Sequence, residues 1–361
     1  MKNKMSTKQY TAIIINSFLG VGILSLASEL ASISEQSAWI SVFLGTLPSL
    51  FALVAIYFIY KITEAKDFLS LLNYLYGKLI GKIVLCFFFF YALIQNILVI
   101  FRFTLLIQMS IARYMPTYII IGVICVLSTF VVSNNITTIS RLCRFVILFA
   151  IPVLLIPSLL SFKGNITNVL PIISSYKKIF QSFPKSYLAF SGAETAFFII
   201  YLVENENETL KASVKAIGII AIVYAISVFS TILFLGYELT SKLIFPIIIF
   251  FELLYIPLFS DLKELFMISW SFTILSTSAI QQYEMYYVIN RFFKNFTPKK
   301  MYFTVLPFTF ILAIISFFYD NFRIEFLLPL SNILNLVFYL LTLLSLLISM
   351  IKYYFKEGEK N

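Results

Sequence analysis

Phe190-Ser191-Gly192-Ala193-Glu194 decides how this chain is read: small residues leading into a carboxylate, set between apolar stretches at 187–188 and 195–203. A charged side chain inside a membrane-length segment costs roughly 2.5–3.5 kcal/mol on insertion scales, so such residues are generally kept for a function. Glycine beside it lets a helix unwind and frees peptide groups otherwise locked in intrahelical hydrogen bonds. Earlier in the chain, Phe18-Leu19-Gly20-Val21-Gly22-Ile23-Leu24 interrupts the first apolar segment in the same way. Two glycine-broken segments, each opening one half of a chain, are the pattern of a midplane binding site in a transporter-like membrane fold.

The rest of the chain supports a membrane setting. Of 361 residues, 60% are hydrophobic and 12% charged, and apolar runs repeatedly exceed the about 20 residues needed to cross a bilayer. The expectation is an all-α integral membrane protein, one membrane domain over residues 1–361, without an appended soluble module. The formal charge is +10, but Lys and Arg are scattered over short loops, which is a topology pattern and not a nucleic-acid footprint. The absence of histidine excludes Ser-His-Asp and Cys-His catalysis and imidazole-bound zinc. No catalytic residue, cofactor or metal site is expected. Cys86, Cys125 and Cys143 have no CxxC spacing and read as small packing residues. The 40 Phe and 22 Tyr read as lipid-facing bulk and interfacial belts, with no aromatic cage.

Apolar runs place ten spans near residues 10–30, 39–60, 83–111, 117–132, 145–162, 186–203, 214–236, 265–289, 302–318 and 326–350. Lys2, Lys4 and Lys8 ahead of the first run suit an uncleaved first helix better than a signal peptide. Residues 243–256, bracketed by Pro246 and Pro257, are short for a crossing and are expected as a re-entrant or interfacial helix. Most loop Lys and Arg fall on the side of the two termini, predicting cytoplasmic termini, although Lys163, Lys177, Lys178 and Lys185 lie on the other side. Five spans per half predict two inverted repeats, about 10–162 and 186–350, each starting with a broken helix.

In such breaks, peptide N–H groups face a cavity from the positive end of a half-helix, a setting that suits a carboxylate. Gly20, Val21 and Gly22 are therefore candidate ligand-binding residues in span one, and Phe190, Ser191, Gly192 and Glu194 in span six; close helix packing is the other use of these glycines. Glu194 can accept an ammonium group, carry a proton or pair with Arg102. Arg102 itself can face the pocket or snorkel to the headgroups. Tyr91 and Gln95 share one face of span three, with Asn96 beside them. Thr273, Thr277 and Gln281 recur every fourth residue in span eight, followed by Glu284, and this stripe must face protein or water. Tyr91, Gln95, Thr277 and Gln281 complete the candidate set, with interhelical hydrogen bonding as the alternative role of these side chains. Glu204-Asn205-Glu206-Asn207-Glu208 reads as a solvated loop.

Taken together, Ser6-Thr7-Lys8-Gln9, Gly20-Val21-Gly22-Ile23-Leu24, Ala38-Trp39-Ile40-Ser41, Phe190-Ser191-Gly192-Ala193-Glu194 and Phe245-Pro246 resemble the B-subunit family of spore germinant receptors over essentially the whole chain. The resemblance implies a LeuT-like member of the amino acid, polyamine and organocation transporter superfamily in the inner membrane of an endospore. It implies a germinant receptor A subunit and a lipoprotein C subunit as partners. It also implies a small-molecule germinant (amino acid, sugar or nucleoside) bound among spans one, three, six and eight. A proton-coupled amino acid permease is the alternative, because a sensor and a carrier share the same pocket physics. One departure is visible: where the family often has proline after the first break, Leu26-Ala27-Ser28 stands here, which weakens the case for an unwound turn in span one.

Overall fold

Backbone groups in lipid must be satisfied within the protein, and a helix does this inside a single segment. The computed structural model, which describes residues 4–160, 163–254, 262–293 and 295–358, is accordingly helical. Among the described residues the sole β feature is an isolated bridge between Met5 and Val203.

The first crossing is α1 (Thr7–Phe18) and α2 (Gly22–Ser34), separated by a non-helical turn at 19–21. Ser6 starts α1 with a capping box, its hydroxyl accepting from the Gln9 N–H while Gln9 Oε1 accepts from the Ser6 N–H. The second to fifth crossings are α3 (Ala38–Thr63), α4 (Phe68–Ser110), α5 (Thr117–Ser133) and α6 (Ile136–Leu160). Two short helices, α7 (Tyr176–Gln181) and α8 (Phe183–Ser186), lead through a 3₁₀ turn into the sixth crossing, which breaks at 191–194 and resumes as α9 (Thr195–Ile199). After α10 (Thr209–Leu235) come the short helices α11 (Tyr237–Lys242) and α12 (Pro246–Leu253). The last three crossings are α13 (Leu262–Phe292), α14 (Val305–Phe318) and α15 (Leu328–Gly358).

Among the described residues, six stretches are long and apolar enough to cross a bilayer. The other crossings escape that test because two are interrupted, α5 has 17 residues, and α13 carries Gln281, Gln282 and Glu284 along its length. Both breaks thus form, the first without the missing proline.

Several boundaries differ from expectation. α4 begins at Phe68, kinks at Gly77 (φ 81°, ψ 169°) and runs on as the crossing from 78, ahead of the expected 83; α6 starts at Ile136 and not at 145, and α10 at Thr209 and not at 214. An apolar run marks the part of a helix in hydrocarbon, whereas the helix continues into the headgroups with charged residues such as Arg141, Arg144, Lys211 and Lys215 on it. Of the expected helix at 243–256, the described part forms α12, which packs against α2, α10 and α13; residues 255 and 256 lie outside the described residues.

The two broken crossings run antiparallel, because Met5 at the start of the first pairs with the end of the sixth. The Met5 N–H donates to Leu202 O (2.8 Å) and the Glu204 N–H donates to Met5 O (3.0 Å). The Thr7 hydroxyl adds a bond to Glu208 Oε2 (2.8 Å), so the acidic stretch at 204–208 is a tie to the N-terminus and not merely a solvated loop. On the same side, Asp67 at the start of α4 pairs with Arg291 at the end of α13 (2.9 Å). Phe68 and Phe88 of α4 hold Phe197 and Phe198 of the sixth crossing, with ring centroids 4.9–5.8 Å apart. These contacts close the bundle on the side where α1 begins.

Candidate functional site

A broken helix leaves carbonyls and N–H groups without intrahelical partners, and burying them unpaired is costly. At the end of α1 the carbonyls are taken by side chains from other helices. The Tyr224 hydroxyl of α10 donates to Phe18 O (2.7 Å) and the Thr277 hydroxyl of α13 donates to Leu19 O (3.0 Å). One turn earlier, Asn16 donates to Cys143 O of α6 (2.9 Å) and accepts from the Ser276 hydroxyl (2.8 Å). Thr277 therefore holds the unwound turn open.

The sixth crossing breaks against the first. Gly192 has φ 142° and lies so close to Ser17 that a Cβ would overlap the Ser17 carbonyl. Only glycine combines that torsion with that approach. A Cβ on Gly22 would stand 3.1 Å from the Ala189 Cα, so the two unwound segments face each other at backbone distance.

Glu194 is 4% exposed. Its Oε2 accepts from the Gly192 N–H (3.0 Å), so the carboxylate folds back on its own break, and the Tyr91 hydroxyl of α4 lies 3.4 Å away. That hydroxyl donates to Asn335 Oδ1 of α15 (2.8 Å), which also accepts from the Ser191 hydroxyl (2.9 Å). The Gln95 amide donates to the Ser331 hydroxyl (3.2 Å). A polar seam thus joins the sixth-crossing break to α4 and α15.

Above this seam lies a cavity of about 140 Å³. Of the sequence candidates, Gly20, Val21, Gly22, Gln95, Ser191, Glu194, Thr277 and Gln281 line it. Tyr91 and Gly192 stand behind the lining and hold Glu194. Phe190 points elsewhere: its ring packs on Tyr224 (centroids 5.4 Å apart), and only its carbonyl is tied, by the Ser49 hydroxyl at 2.6 Å. The open coupling of Glu194 to Arg102 is not made; Arg102 lines the cavity and donates to the Ser25 hydroxyl of α2 (3.3 Å).

Gln281 Oε1 is buried without a hydrogen-bond partner among the described residues. Its neighbours on α13 have other uses. Thr273 bonds back to Ser269 O (3.1 Å), Gln282 is bound to Ser128 and Thr129 of α5 (2.7 and 2.8 Å), and buried Glu284 accepts from the Thr195 hydroxyl (2.7 Å). Asn96 serves helix contact, donating to Ser278 O (3.2 Å).

The α15 residues Ser331, Asn332 and Asn335 were missed by sequence reasoning although they complete the cavity. Their signal was available: Ser331 and Asn335 recur at i, i+4, with Asn332 between them, in a run that is apolar at its other positions.

This geometry can hold a small polar solute. Donors come from the start of α2 and from Arg102; acceptors come from Gln281 and Glu194. A closed cavity near 150 Å³ holds one benzene, or roughly six heavy atoms, so the space here is on the scale of a small solute.

Comparison with solved structures shows the same fold in the crystal structure of MhsT in complex with L-phenylalanine. The TM-score is 0.66 with 14% identity, covering 98% of this chain and 97% of that one. The fold is the LeuT-like one, with inverted five-helix repeats and broken first and sixth helices. Among curated relatives, spore germination protein YndE of Bacillus subtilis (strain 168) is 22% identical over 99% of both chains. Spore germination protein B2 of the same organism is 22% identical over 75% of this chain and 74% of its own. A family model described as "Spore germination protein" matches residues 4–323. This multi-pass membrane chain therefore belongs to the spore germination protein family.

Proposed function

We propose that this chain is the transmembrane B subunit of a spore germinant receptor in the spore inner membrane, with both termini cytoplasmic. It binds a small germinant such as an amino acid between the two broken helices and signals to an A subunit and a lipoprotein C subunit. The observation that carries the reading is the cavity where both unwound segments meet, with an unpartnered acceptor in its wall. A ligand moves the bundle only through different affinity for two arrangements. The contacts closing the side where α1 begins, Met5 with Val203 and Asp67 with Arg291, belong to one of them.

Gln281→Met tests this. Methionine has a similar shape and removes a buried polar atom that has no partner, so thermal stability is expected to be unchanged or slightly raised. The germinant response of spores relying on this receptor is expected to fall sharply at normal protein abundance. A full response in those spores overturns the assigned cavity.

A proton-coupled amino acid permease is the second reading. It is favoured by one observation: Glu194 and Glu284 are both buried, flank Thr195, and enter none of the ion pairs among the described residues. Carboxylates in that setting serve proton relays in carriers. This reading predicts accumulation of labelled amino acid in proteoliposomes driven by a pH gradient, and absence of uptake rejects it.

A further inference from the structure

Four charged side chains line the cavity, Glu29, Arg102, Lys185 and Glu194, and Arg102 is the cation that is joined by a hydrogen bond to α2. It is half-buried, lines the cavity wall, and makes one described hydrogen bond, to the Ser25 hydroxyl at 3.3 Å. None of the ion pairs among the described residues includes it. A guanidinium carries five donors in a planar fork that matches a carboxylate, so one bond to a hydroxyl leaves most of that capacity unused.

Its position also matters. A helical side chain leans toward the N-terminus of its own helix, so Arg102 leans along α4 toward Gln95 and the cavity floor. Ser25 lies three residues beyond Gly22, a rise of about 4.5 Å. The guanidinium therefore stands roughly one turn above the start of α2, where the helix end is positive and, although the Leu24 N–H is taken by Val21 O (3.2 Å), the N–H groups of the first residues have no acceptor one turn back. Two positive features, one from each wall, converge on the same part of the cavity. Glu29, one turn farther along α2, also lines the cavity and accepts from the same Ser25 hydroxyl (2.8 Å), so it is the acid that a bound carboxylate competes with. At the other end of the cavity stand the acceptors, Gln281 Oε1 and Glu194.

We infer that Arg102 sets the charge specificity of this site, holding the carboxylate of a small amino acid above the start of α2 while its ammonium group faces Gln281 and Glu194. The inference rests on the ligand-binding reading above and narrows it to small amino acids with a free carboxylate. Neutral hexoses and nucleosides lack the carboxylate that Arg102 would hold.

The test compares acids with their own amides on the purified full chain in lipid nanodiscs, reading affinity by calorimetry and Tm shift. The probes are glycine and glycinamide, L-alanine and L-alaninamide, and glucose and inosine. In the unaltered chain the acids are expected to bind and the amides to bind roughly tenfold or more weakly, the scale of a lost charge-assisted bond. R102Q is expected to erase the preference, and R102K, which keeps the charge without the fork, to restore part of it. Equal binding of acid and amide to the unaltered chain overturns the inference without relying on any variant. So does an undiminished preference in R102Q. Binding of glucose or inosine in place of the acids overturns the inference and leaves the ligand-binding reading standing. No binding by any probe overturns both.

Discussion

Gly192→Ala is expected to leave little folded protein. A residue with a Cβ at φ 142° carries backbone strain of about 1–3 kcal/mol, and the same Cβ would collide with the Ser17 carbonyl. The contact is backbone on backbone, so no side-chain rotation relieves it. The first and sixth crossings would have to separate at the point where both are unwound, breaking the Gly192 N–H bond to Glu194 as well. Gly218→Ala on α10 is the control: a Cβ there meets nothing within 4 Å, and alanine in a helix is expected to gain about 0.4–1 kcal/mol. Thermal unfolding of both variants beside the parent chain, read by fluorescence size-exclusion, gives the comparison. If the two substitutions leave the same Tm, the close apposition of the breaks is wrong.

Glu194→Gln is expected to spare the fold and remove binding. Glutamine keeps the shape and one acceptor oxygen, so the Gly192 N–H keeps a partner and the break persists. The negative charge that attracts an ammonium group is lost. A hydrogen bond to a charged group contributes about 1.5–3 kcal/mol, which corresponds to an affinity loss of roughly ten- to a hundredfold. The measurement is ligand affinity of the purified variant together with the germinant response of spores containing it at normal abundance. Unaltered affinity and response would sink the role assigned to Glu194.

Both substitutions fall in the stretch that already stood out before any coordinates, and the reason is physical. A glutamate inside a lipid-spanning helix is costly enough to be informative by itself, and a glycine beside it is what lets the helix unwind. The same holds for Gly20 and Gly22, whose unwound turn forms even though Leu26-Ala27-Ser28 replaces the proline common in the family. Thr277 and Gln281 were visible for a related reason, since their four-residue spacing puts them on one helix face. Helix boundaries were read too short at α4, α6 and α10 because hydrophobicity reports the bilayer and not the end of a helix.

Local pattern therefore determined that this chain is a helical membrane protein with two broken crossings and a carboxylate at one break. Tertiary structure alone decided which residues meet there. It turned Phe190 onto Tyr224, brought Ser331 and Asn335 of α15 to the cavity, joined Glu208 to Thr7, and set Arg102 on Ser25 instead of Glu194. Such meetings depend on how each helix is rotated and docked against its neighbours. That choice is made by the summed packing of residues hundreds of positions apart, and no window along one chain contains it.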